Sequence, residues 1–311
     1  MNKITVLGAG MVGSAIAEDL SKKYEVTVCD INEERLKELK SLIPVKIKKA
    51  DISDKDQLVN TIRDSDLVVG AVPGFMGFEC LKAIIESGKN VVDISFFDED
   101  PFELDRLALE NNVTAIVDCG VAPGLSNIIL GYHSERMKVN SFECYVGGLP
   151  FERKPPYEYK APFSPIDVIE EYTRPARIMV NGKVVTKEAL SEPELINTEA
   201  GTLEAFNTDG LRSLLKTMKI PDMKEKTLRY PGHIQLMRAL RATGFFDKEE
   251  IDIKGKTIRP VDLTSKLLFP LWKLERNEPE FTILKIRING EGKEIEYSLF
   301  DKYDEATKTS S

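Results

Sequence analysis

The chain has 311 residues, and its 42% hydrophobic and 30% charged content is typical of a globular protein and excludes a disordered one. The length is enough for about two domains. The formal net charge of −8 excludes a general affinity for nucleic acid or an anionic membrane, because both need clustered Lys and Arg. The 4 cysteines lie far apart and the 2 histidines are too few for a His-rich site, so we expect reduced thiols and no metal.

The start of the chain moves straight into a glycine-rich stretch and lacks the apolar core of a signal peptide. The uncharged apolar run LVVGAVPGFMGF covers residues 67–78, contains Pro73 and is too short to span a bilayer. We therefore expect a cytoplasmic protein that acts on a small molecule, with no nucleic-acid partner and no membrane.

The first part of the chain alternates short apolar strands with amphipathic helices. The predicted strands cover residues 3–7, 25–30, 44–50, 66–73, 90–95 and 113–119. This alternation indicates an α/β fold with right-handed crossovers, and the near-continuous apolar strands indicate a sheet covered on both faces. We predict a Rossmann-type, doubly wound parallel sheet.

The pattern changes near residue 138. Asn181-Gly182 marks a β-hairpin, a second hairpin with the longer turn NGEG follows residue 280, and helical patterns cover 209–218, 232–243 and 261–274. These elements predict a second, α+β domain with an antiparallel sheet. The predicted boundaries are 1–125 for the dinucleotide-binding domain, 126–300 for the α+β domain and 301–311 for a polar tail.

The stretch GAGMVG follows the first strand and opens the first helix. Gly8, Gly10 and Gly13 form GxGxxG, which in this context is the dinucleotide-binding fingerprint. Together with Met11 and Val12 they would place the pyrophosphate at the positive end of the helix. The alternative is a structural glycine turn that binds nothing.

Asp30 ends the second strand and decides the cofactor. A carboxylate at this position accepts hydrogen bonds from both ribose hydroxyls and repels a 2′-phosphate. The next residues are Ile31 and Asn32, so no arginine follows to hold such a phosphate. We predict NAD, while a mere helix cap before Glu33 is the alternative role for Asp30.

Two further stretches end strands of the predicted sheet and would border the cofactor. Asp51 follows the third strand, within reach of an adenine, although it could equally be a loop residue near a helix cap at Ser53. Ala71, Val72 and Pro73 end the fourth strand, where the nicotinamide half should lie. For these three residues, a strand that proline simply terminates is the alternative.

The stretch DCGVAPGLSN, residues 118–127, follows the sixth strand at the same edge of the sheet. Gly120 and Gly124 would allow close backbone approach, Pro123 shapes the entry into the next helix, and Asn127 is a possible contact. We predict that this proline loop borders the nicotinamide and the substrate. A domain-linking turn is the alternative.

Candidate substrate residues come from three stretches of the second half. These residues are Tyr159 and Lys160 in YEYKAPF, Asp209 and Arg212 in NTDGLRSLL, and Arg229, Tyr230 and His233 in TLRYPGH. Arginine suits carboxylate binding and histidine suits proton transfer near neutral pH. Each residue could equally be structural or solvated, and their spacing alone selects no reaction.

Several longer stretches together resemble the saccharopine dehydrogenase family over residues 3–306. They are GAGMVG, DCGVAPGLSNIILG, YVGGLPFERKPPYEYKAPFSPIDVIEEY, EAFNTDGLRSLL, TLRYPGH and LLFPLWKLE. The resemblance implies a Rossmann domain and an α+β domain that supplies substrate contacts and a homodimer interface. It also implies NAD-dependent oxidative deamination of the ε-amino group of L-lysine, giving a semialdehyde that cyclises to a piperideine carboxylate.

Related saccharopine reductases use NADP and usually carry Gly-Leu-Asp-Pro-Gly in the proline loop. This chain has Ala122 where that pattern has aspartate, which favours lysine over saccharopine as the substrate. Under this reading Arg229 or Arg212 binds the substrate carboxylate, His233 or Tyr159 handles the proton, and Lys160 acts as base if burial lowers its pKa.

Three alternatives remain open on the sequence alone. They are a saccharopine reductase-like enzyme, a dehydrogenase acting on another amino acid or polyamine conjugate with NAD or NADP, and a non-catalytic NAD-binding protein. The last reading follows from the expectation that the relatives continue past the final residues DEATKTSS with a segment that helps to close the active site.

Overall fold

A computed structural model describes residues 2–161, 165–275 and 278–306. The chain divides into two compact units, Met1–Gly120 and Val121–Ser311. Residues 121–125, predicted to end the first domain, therefore belong to the second unit. The last strand continues to Lys302, so the first residues of the predicted polar tail are part of a sheet.

The first unit is built from alternating strands and helices. Its strands are β1 (Lys3–Leu7), β2 (Glu25–Asp30), β3 (Lys46–Lys49), β4 (Leu67–Gly70), β5 (Asn90–Asp93) and β6 (Ala115–Ile116). Its helices are α1 (Met11–Ser21), α2 (Glu33–Leu42), α3 (Lys55–Ile62), α4 (Gly74–Glu86) and α5 (Asp105–Glu110), with a 3-10 turn at Pro101–Leu104. The strands form a parallel sheet in the order β3-β2-β1-β4-β5-β6, which confirms the predicted Rossmann-type sheet.

Both faces of this sheet are covered, as its apolar strands predict. Val6 and Val28 pack into a cluster that includes side chains of α1 and α2, while Leu7 and Val68 join a second cluster with α3 and α4. The strand order reverses between β1 and β4, and at such a reversal α/β folds open a crevice beyond the carboxyl ends of the strands.

The second unit contains the remaining elements. Its strands are β7 (Ser141–Pro150), β8 (Ala176–Val180), β9 (Lys183–Lys187), β10 (Glu194–Thr198), β11 (Gly201–Asn207), β12 (Asp222–Arg229), β13 (Ile251–Ile253), β14 (Lys256–Ile258), β15 (Glu280–Gly290) and β16 (Lys293–Lys302). Its helices are α6 (Leu125–Ser134), α7 (Pro165–Thr173), α8 (Leu214–Thr217), α9 (His233–Ala242) and α10 (Pro260–Trp272).

Eight of these strands form one sheet, and β13 and β14 form a separate hairpin. The path is β10-β11-β12-β7-β15-β16, with β8 paired to both β12 and β9. All pairs are antiparallel except β7 with β12, so the predicted antiparallel sheet is in fact mixed. The exception has a topological cause, because a long crossover and not a hairpin connects β7 to β12.

The two predicted hairpins are present. β8 and β9 join at Asn181 and Gly182, both with positive φ, as a two-residue turn of this kind requires. The second hairpin, β15–β16, turns at Glu291 and Gly292 with φ of 51° and 73°, so its turn has two residues instead of the longer NGEG. The predicted helix over 209–218 shrinks to α8.

Candidate active site

The glycine loop, residues 8–13, has the geometry that a dinucleotide needs. Gly8 has φ of 108°, and a Cβ there would lie 2.3 Å from the carbonyl oxygen of Ala71 at the end of β4. A Cβ on Gly13 would lie 2.2 Å from the carbonyl oxygen of Gly8. Gly10 differs, because no described atom lies within 4 Å of the Cβ position. Two glycines therefore close the turn, and the third leaves room for a ligand.

The N-terminus of α1 begins at this open space. Gly10 is its N-cap and provides no side-chain cap, and the first turn, described in full, carries no acidic residue. The first backbone N–H groups and the positive end of the helix dipole are thus left for an anion. Met11 and Val12 are 47% and 42% exposed, so neither side chain is needed by the core.

Asp30 lies beside the glycine loop. Its Oδ2 accepts a hydrogen bond from Ala9 N at 2.7 Å, and its Oδ1 accepts one from Asn32 N at 2.7 Å. The helix-capping role belongs instead to Asn32, whose side chain accepts from the backbone N–H groups of Glu34 and Arg35. The Asp30 carboxylate therefore ties β2 to the loop and is not the cap of α2.

Asp51 lies in the loop after β3. Its Oδ1 accepts hydrogen bonds from the backbone N and the Oγ of Ser53 at 3.0 and 2.6 Å. The N-cap of α3 is Asp54 and not Ser53, since Asp54 accepts from the backbone N–H groups of the first turn. The adenine contact of Asp51 remains a prediction.

The residues that follow β4 begin with Ala71, which lies against the glycine loop. Ala71 N donates to Leu7 O at 3.0 Å. The Ala71 carbonyl oxygen is the atom that a Cβ at position 8 would overlap. Val72 is 7% exposed, and Pro73 is the N-cap of α4. That Ala71, Val72 and Pro73 lie beside the nicotinamide remains a prediction. The backbone contacts alone explain why small residues occur here.

The proline loop spans the boundary between the two units. Gly120 is the last residue of the first unit and is exposed, whereas Pro123 belongs to the second unit and is buried. Asn127 Oδ1 accepts hydrogen bonds from Gly124 N at 3.4 Å and Ser126 Oγ at 3.1 Å. Asn127 therefore helps to fix the start of α6, and the cofactor contacts of Gly120 and Pro123 remain predictions.

Three of the five predicted catalytic residues meet in a buried cluster of the second unit. We call it the Arg229 cluster, and its members are Tyr159, Glu171, Tyr172, Arg229, His233 and Trp272. Arg229 ends β12 and is only 2% exposed. Its Nη2 donates to Glu171 Oε2 at 2.6 Å and to Tyr159 Oη at 3.4 Å, and its Nε donates to Tyr172 Oη at 3.1 Å.

This pairing changes the interpretation of Arg229. A carboxylate from α7 already binds its guanidinium, so a substrate carboxylate would have to displace Glu171. The guanidinium carbon also lies 4.3 Å from the centre of the Tyr159 ring, an additional cation–π contact. The geometry therefore supports a structural ion pair and does not support Arg229 as the anchor of the substrate carboxylate.

His233 begins α9 and is held as a neutral imidazole. Its Nδ1 donates to the Tyr157 carbonyl at 2.8 Å, and its Nε2 then accepts from Tyr172 Oη at 2.9 Å. Burial, and second the nearby Arg229 charge, lower the pKa of His233 to about 3. A base with this pKa takes up little proton near neutral pH, so the arrangement favours a positioning role over the predicted proton transfer.

The depressed pKa of His233 predicts a loss of stability in acid. The unfolded chain binds a proton near the ordinary value of 6.5 and the folded chain near 3, so stability is complete above the first value and falls as pH drops towards the second. We expect the free energy of unfolding to be about 2 kcal/mol lower at pH ~5 than at pH ~7.5. Urea unfolding at the two pH values measures it.

His133 provides the control for that experiment. Its Nε2 bonds Tyr297 Oη at 2.8 Å, in a more open environment. His233→Gln should flatten the pH dependence, whereas His133→Gln should keep it. An unchanged slope in His233→Gln would contradict the buried, neutral imidazole.

Lys160 and Arg212 are placed differently from the other three candidates. Lys160 Nζ donates to Lys273 O at 3.0 Å and lies 3.7 Å from Glu278 Oε2. Arg212 lies in the loop between β11 and α8 and has φ of 41°. This loop runs beside the middle of β12, whereas Arg229 is the last residue of that strand. The structure thus unites His233, Tyr159 and Arg229 in one cluster, of which Lys160 and Arg212 are not members, and the catalytic roles of these two remain predictions.

Three members of the Arg229 cluster were not expected. Glu171 and Tyr172 lie on α7 and Trp272 ends α10, within stretches whose resemblance was noted but whose individual side chains were not. Trp272 is fully buried and contacts Tyr159 and Tyr172 edge to face. The signal that could have found Glu171 is an acidic residue near the end of an otherwise amphipathic helix.

The described part of the chain contains neither a metal-binding cluster nor a membrane-spanning helix. Within it, no group of three or more His, Cys, Asp or Glu side chains is arranged to hold a metal ion. No helix in residues 2–161, 165–275 and 278–306 is both long and apolar enough to cross a bilayer.

The parallel sheet, the glycine loop and Asp30 define a dinucleotide-binding protein with a second, mixed-sheet domain. Residues 4–116 match the model of the saccharopine dehydrogenase NADP binding domain, and residues 120–311 match that of the saccharopine dehydrogenase C-terminal domain. The chain therefore belongs to the saccharopine dehydrogenase family and carries its nucleotide-binding domain.

Individual relatives agree with this family. The saccharopine dehydrogenase (NADP+, L-glutamate-forming) of Schizosaccharomyces pombe is 26% identical over 80% of this chain and 59% of its own length. The alpha-aminoadipic semialdehyde synthase of Arabidopsis thaliana is 28% identical over 70% of this chain and 22% of its own length. The chain thus spans less than two thirds of the length of these relatives.

A solved structure confirms the fold. The apo saccharopine dehydrogenase (L-Glu forming) of Saccharomyces cerevisiae matches with a TM-score of 0.73 and 18% identity, over 98% of this chain and 86% of that chain. At this identity the match establishes the architecture and carries no information on the substrate.

Proposed function

We propose that the protein is an NAD-dependent dehydrogenase that oxidatively deaminates the ε-amino group of L-lysine. The observation that carries this proposal is the Asp30 carboxylate, held beside the glycine loop at the tip of β2. Ala122, in the position where saccharopine reductases usually carry aspartate, supports lysine over saccharopine. The semialdehyde formed would then cyclise to a piperideine carboxylate.

The cofactor choice follows from charge. Asp30 accepts its two described hydrogen bonds from backbone N–H groups, which leaves further lone pairs of this anionic side chain for ribose hydroxyls. The same charge would repel a 2′-phosphate. The family-model description names NADP, and this residue is the reason for proposing NAD in this chain.

The residues present fit a dinucleotide. The open space at Gly10 and the free N–H groups of α1 would hold the pyrophosphate, and Asp30 would hold the adenosine ribose. NAD bound there would supply the hydride acceptor. The balanced reaction converts the lysine ε-ammonium, NAD+ and water to the aldehyde, ammonium, NADH and one proton.

The chain itself must make the substrate amine neutral and hold it in place. An ammonium has no lone pair to assist hydride loss, so a site for this reaction needs a base or a dry environment that lowers the amine pKa. Tyr159, Lys160 and Arg212 remain the proposed substrate contacts, while the Arg229–Glu171 pair and His233 are proposed to keep the second unit rigid around them.

A second candidate comes from the names of the relatives. The Schizosaccharomyces pombe relative is named for saccharopine and NADP, and the Arabidopsis thaliana relative is named for aminoadipic semialdehyde. These names support saccharopine with NADP as the alternative pair of substrate and cofactor. Initial rates with each cofactor and each substrate separate the two. Reduction of NAD with L-lysine supports the proposal, whereas turnover with saccharopine and NADP alone would replace it.

Asp30→Asn tests the cofactor assignment. The amide oxygen can still accept from Ala9 N, but the negative charge is lost. We expect NAD to bind about 10-fold more weakly, because a hydrogen bond to a charged group contributes about 1.5 kcal/mol, and NADP to be repelled less. Calorimetric titration of both cofactors measures the change in their ratio.

Asp51→Asn is the matched control. This carboxylate follows the neighbouring strand β3, and its described bonds go to Ser53. We expect it to leave the NAD to NADP ratio unchanged. If Asp30→Asn also leaves that ratio unchanged, Asp30 does not select the cofactor.

A further inference from the structure

A lysine lies beside Asp30 at the carboxyl edge of the parallel sheet. Lys49 is the last residue of β3 and pairs with Asp30, the last residue of β2. Paired residues of neighbouring strands project from the same face of a sheet, so the Lys49 side chain starts next to the Asp30 carboxylate. Among the described residues, the ion pair of Lys49 is made with Glu33 and none is made with Asp30.

Glu33 binds this lysine and a second one. It is the first residue of α2, and its Oε2 lies 3.2 Å from Lys49 Nζ while its Oε1 lies 2.6 Å from Lys37 Nζ. Hydrogen bonds from Lys37 and then Lys49 hold the pKa of Glu33 below its ordinary value, so the carboxylate is charged near neutral pH. One carboxylate therefore joins the start of α2 to the end of β3 and keeps two ammonium groups paired close to Asp30.

These two lysines have the chemistry that a 2′-phosphate needs. In dinucleotide-binding folds the adenosine ribose lies at the tip of the second strand, and a basic side chain nearby accommodates the 2′-phosphate of NADP. Lysine binds phosphate as a point charge. A phosphate ester carries about two negative charges near neutral pH, so it would have to displace Glu33 from Lys37 and Lys49 against the repulsion of this carboxylate. NAD has only a hydroxyl at that position and meets no such barrier.

We propose that Glu33 is a second determinant of cofactor choice, which excludes NADP by keeping Lys37 and Lys49 paired. The inference rests on the proposed function, since it takes the adenosine ribose to lie at Asp30. It adds a separate cause, because Asp30 acts through its own contacts with the ribose, whereas Glu33 acts through the two lysines that it binds.

Calorimetric titration of the full-length chain with NAD and with NADP, without any amine, tests this role. Glu33→Gln keeps the size of the side chain and removes its charge. We expect NADP to bind roughly 10-fold more tightly and the Kd of NAD to change less than about 2-fold, because only NADP has a phosphate for the released lysines. The gain should shrink as salt is raised from about 0.05 to 0.5 M, since exposed charges are screened.

Glu25→Gln is the matched control. Glu25 begins β2 and pairs with Lys46, the first residue of β3, so this ion pair joins the same two strands at the opposite edge of the sheet. The side chains of Glu25 and Glu33 are both 46% exposed. The control removes the same charge and should leave both dissociation constants unchanged. Circular dichroism confirms that each variant is folded.

A second substitution identifies the lysine that binds the phosphate. In the Glu33→Gln background, Lys49→Met should remove most of the gain in NADP affinity, whereas Lys46→Met should keep it. Asp30→Asn combined with Glu33→Gln should raise the ratio of NADP to NAD affinity above that of either single variant, because the two causes are separate.

The outcomes separate this proposal from the proposed function. Wild type that binds NAD, together with an unchanged NADP affinity in Glu33→Gln or an equal gain in Glu25→Gln, would overturn the role of Glu33 alone. Wild type that binds no NAD, or that prefers NADP, would overturn both proposals. The expected gain in a protein that leaves L-lysine unoxidised would support the role of Glu33 and refute only the proposed reaction.

Discussion

Gly8→Ala is expected to destabilise the first unit and to abolish dinucleotide binding. The new Cβ would lie 2.3 Å from the Ala71 carbonyl oxygen, and φ of 108° is a conformation that side chains rarely adopt. Strain and overlap together should cost about 3 kcal/mol or more. Thermal unfolding, followed by far-ultraviolet circular dichroism, measures the loss, and fluorescence titration with NADH measures binding.

Gly10→Ala is expected to weaken NAD binding while changing the stability of the fold little. No described atom lies within 4 Å of the Cβ position, so the change should reduce the free energy of unfolding by at most about 1 kcal/mol, the order of an N-cap effect. NAD binding should nevertheless weaken by about 1–3 kcal/mol, roughly 10- to 100-fold in Kd, because the methyl group enters the proposed pyrophosphate space. Unimpaired NAD binding by Gly10→Ala would place the cofactor elsewhere.

Arg229→Ala is expected to be the most damaging substitution in the second unit. The change removes the buried partner of Glu171 and the hydrogen bond to Tyr172, and it opens space beside Tyr159. Breaking a buried ion pair on one side costs about 3–5 kcal/mol, because the other charge stays buried and unpaired. The single tryptophan, Trp272, lies in the same cluster, so its fluorescence in a urea titration follows this loss directly.

Two controls decide whether the ion pair is the cause. Arg259→Ala removes an exposed arginine paired with Asp262 and should leave the urea midpoint unchanged. Arg229→Met combined with Glu171→Leu should recover part of the stability, because no unpaired charge remains. If Arg229→Ala keeps the wild-type midpoint and loses only substrate affinity, Arg229 is a substrate ligand after all.

The first unit could be predicted from the sequence because its signals are local. Apolar strands, amphipathic helices and a glycine loop in the right order determine a parallel sheet almost unaided. The three glycines and Asp30 could be named as candidates for the same reason, since the strand, the loop and the helix that position them are adjacent in the chain; their contacts with the cofactor remain predictions. The errors were small, such as the helix cap at Ser53 that Asp54 provides.

The second unit was predicted less completely because its pairing is not local. The strands β10, β11 and β12 were missed; β12, for example, has the sequence DMKEKTLR, with three consecutive charged residues instead of an apolar alternation, and it pairs in parallel with the distant β7. The residues of the Arg229 cluster were partly named, but its ion pair was not. Glu171 arrives on α7 and Trp272 on α10, and only tertiary packing brings them to the end of β12.

The most direct test of the proposed function follows hydride from substrate to cofactor. L-lysine deuterated at Cε is incubated with the protein and NAD, and the mass of the reduced cofactor is measured. The proposal predicts one deuterium in the NADH that forms and a slower initial rate than with unlabelled lysine. Label-free NADH, or reduction only when saccharopine and NADP replace lysine and NAD, would contradict it.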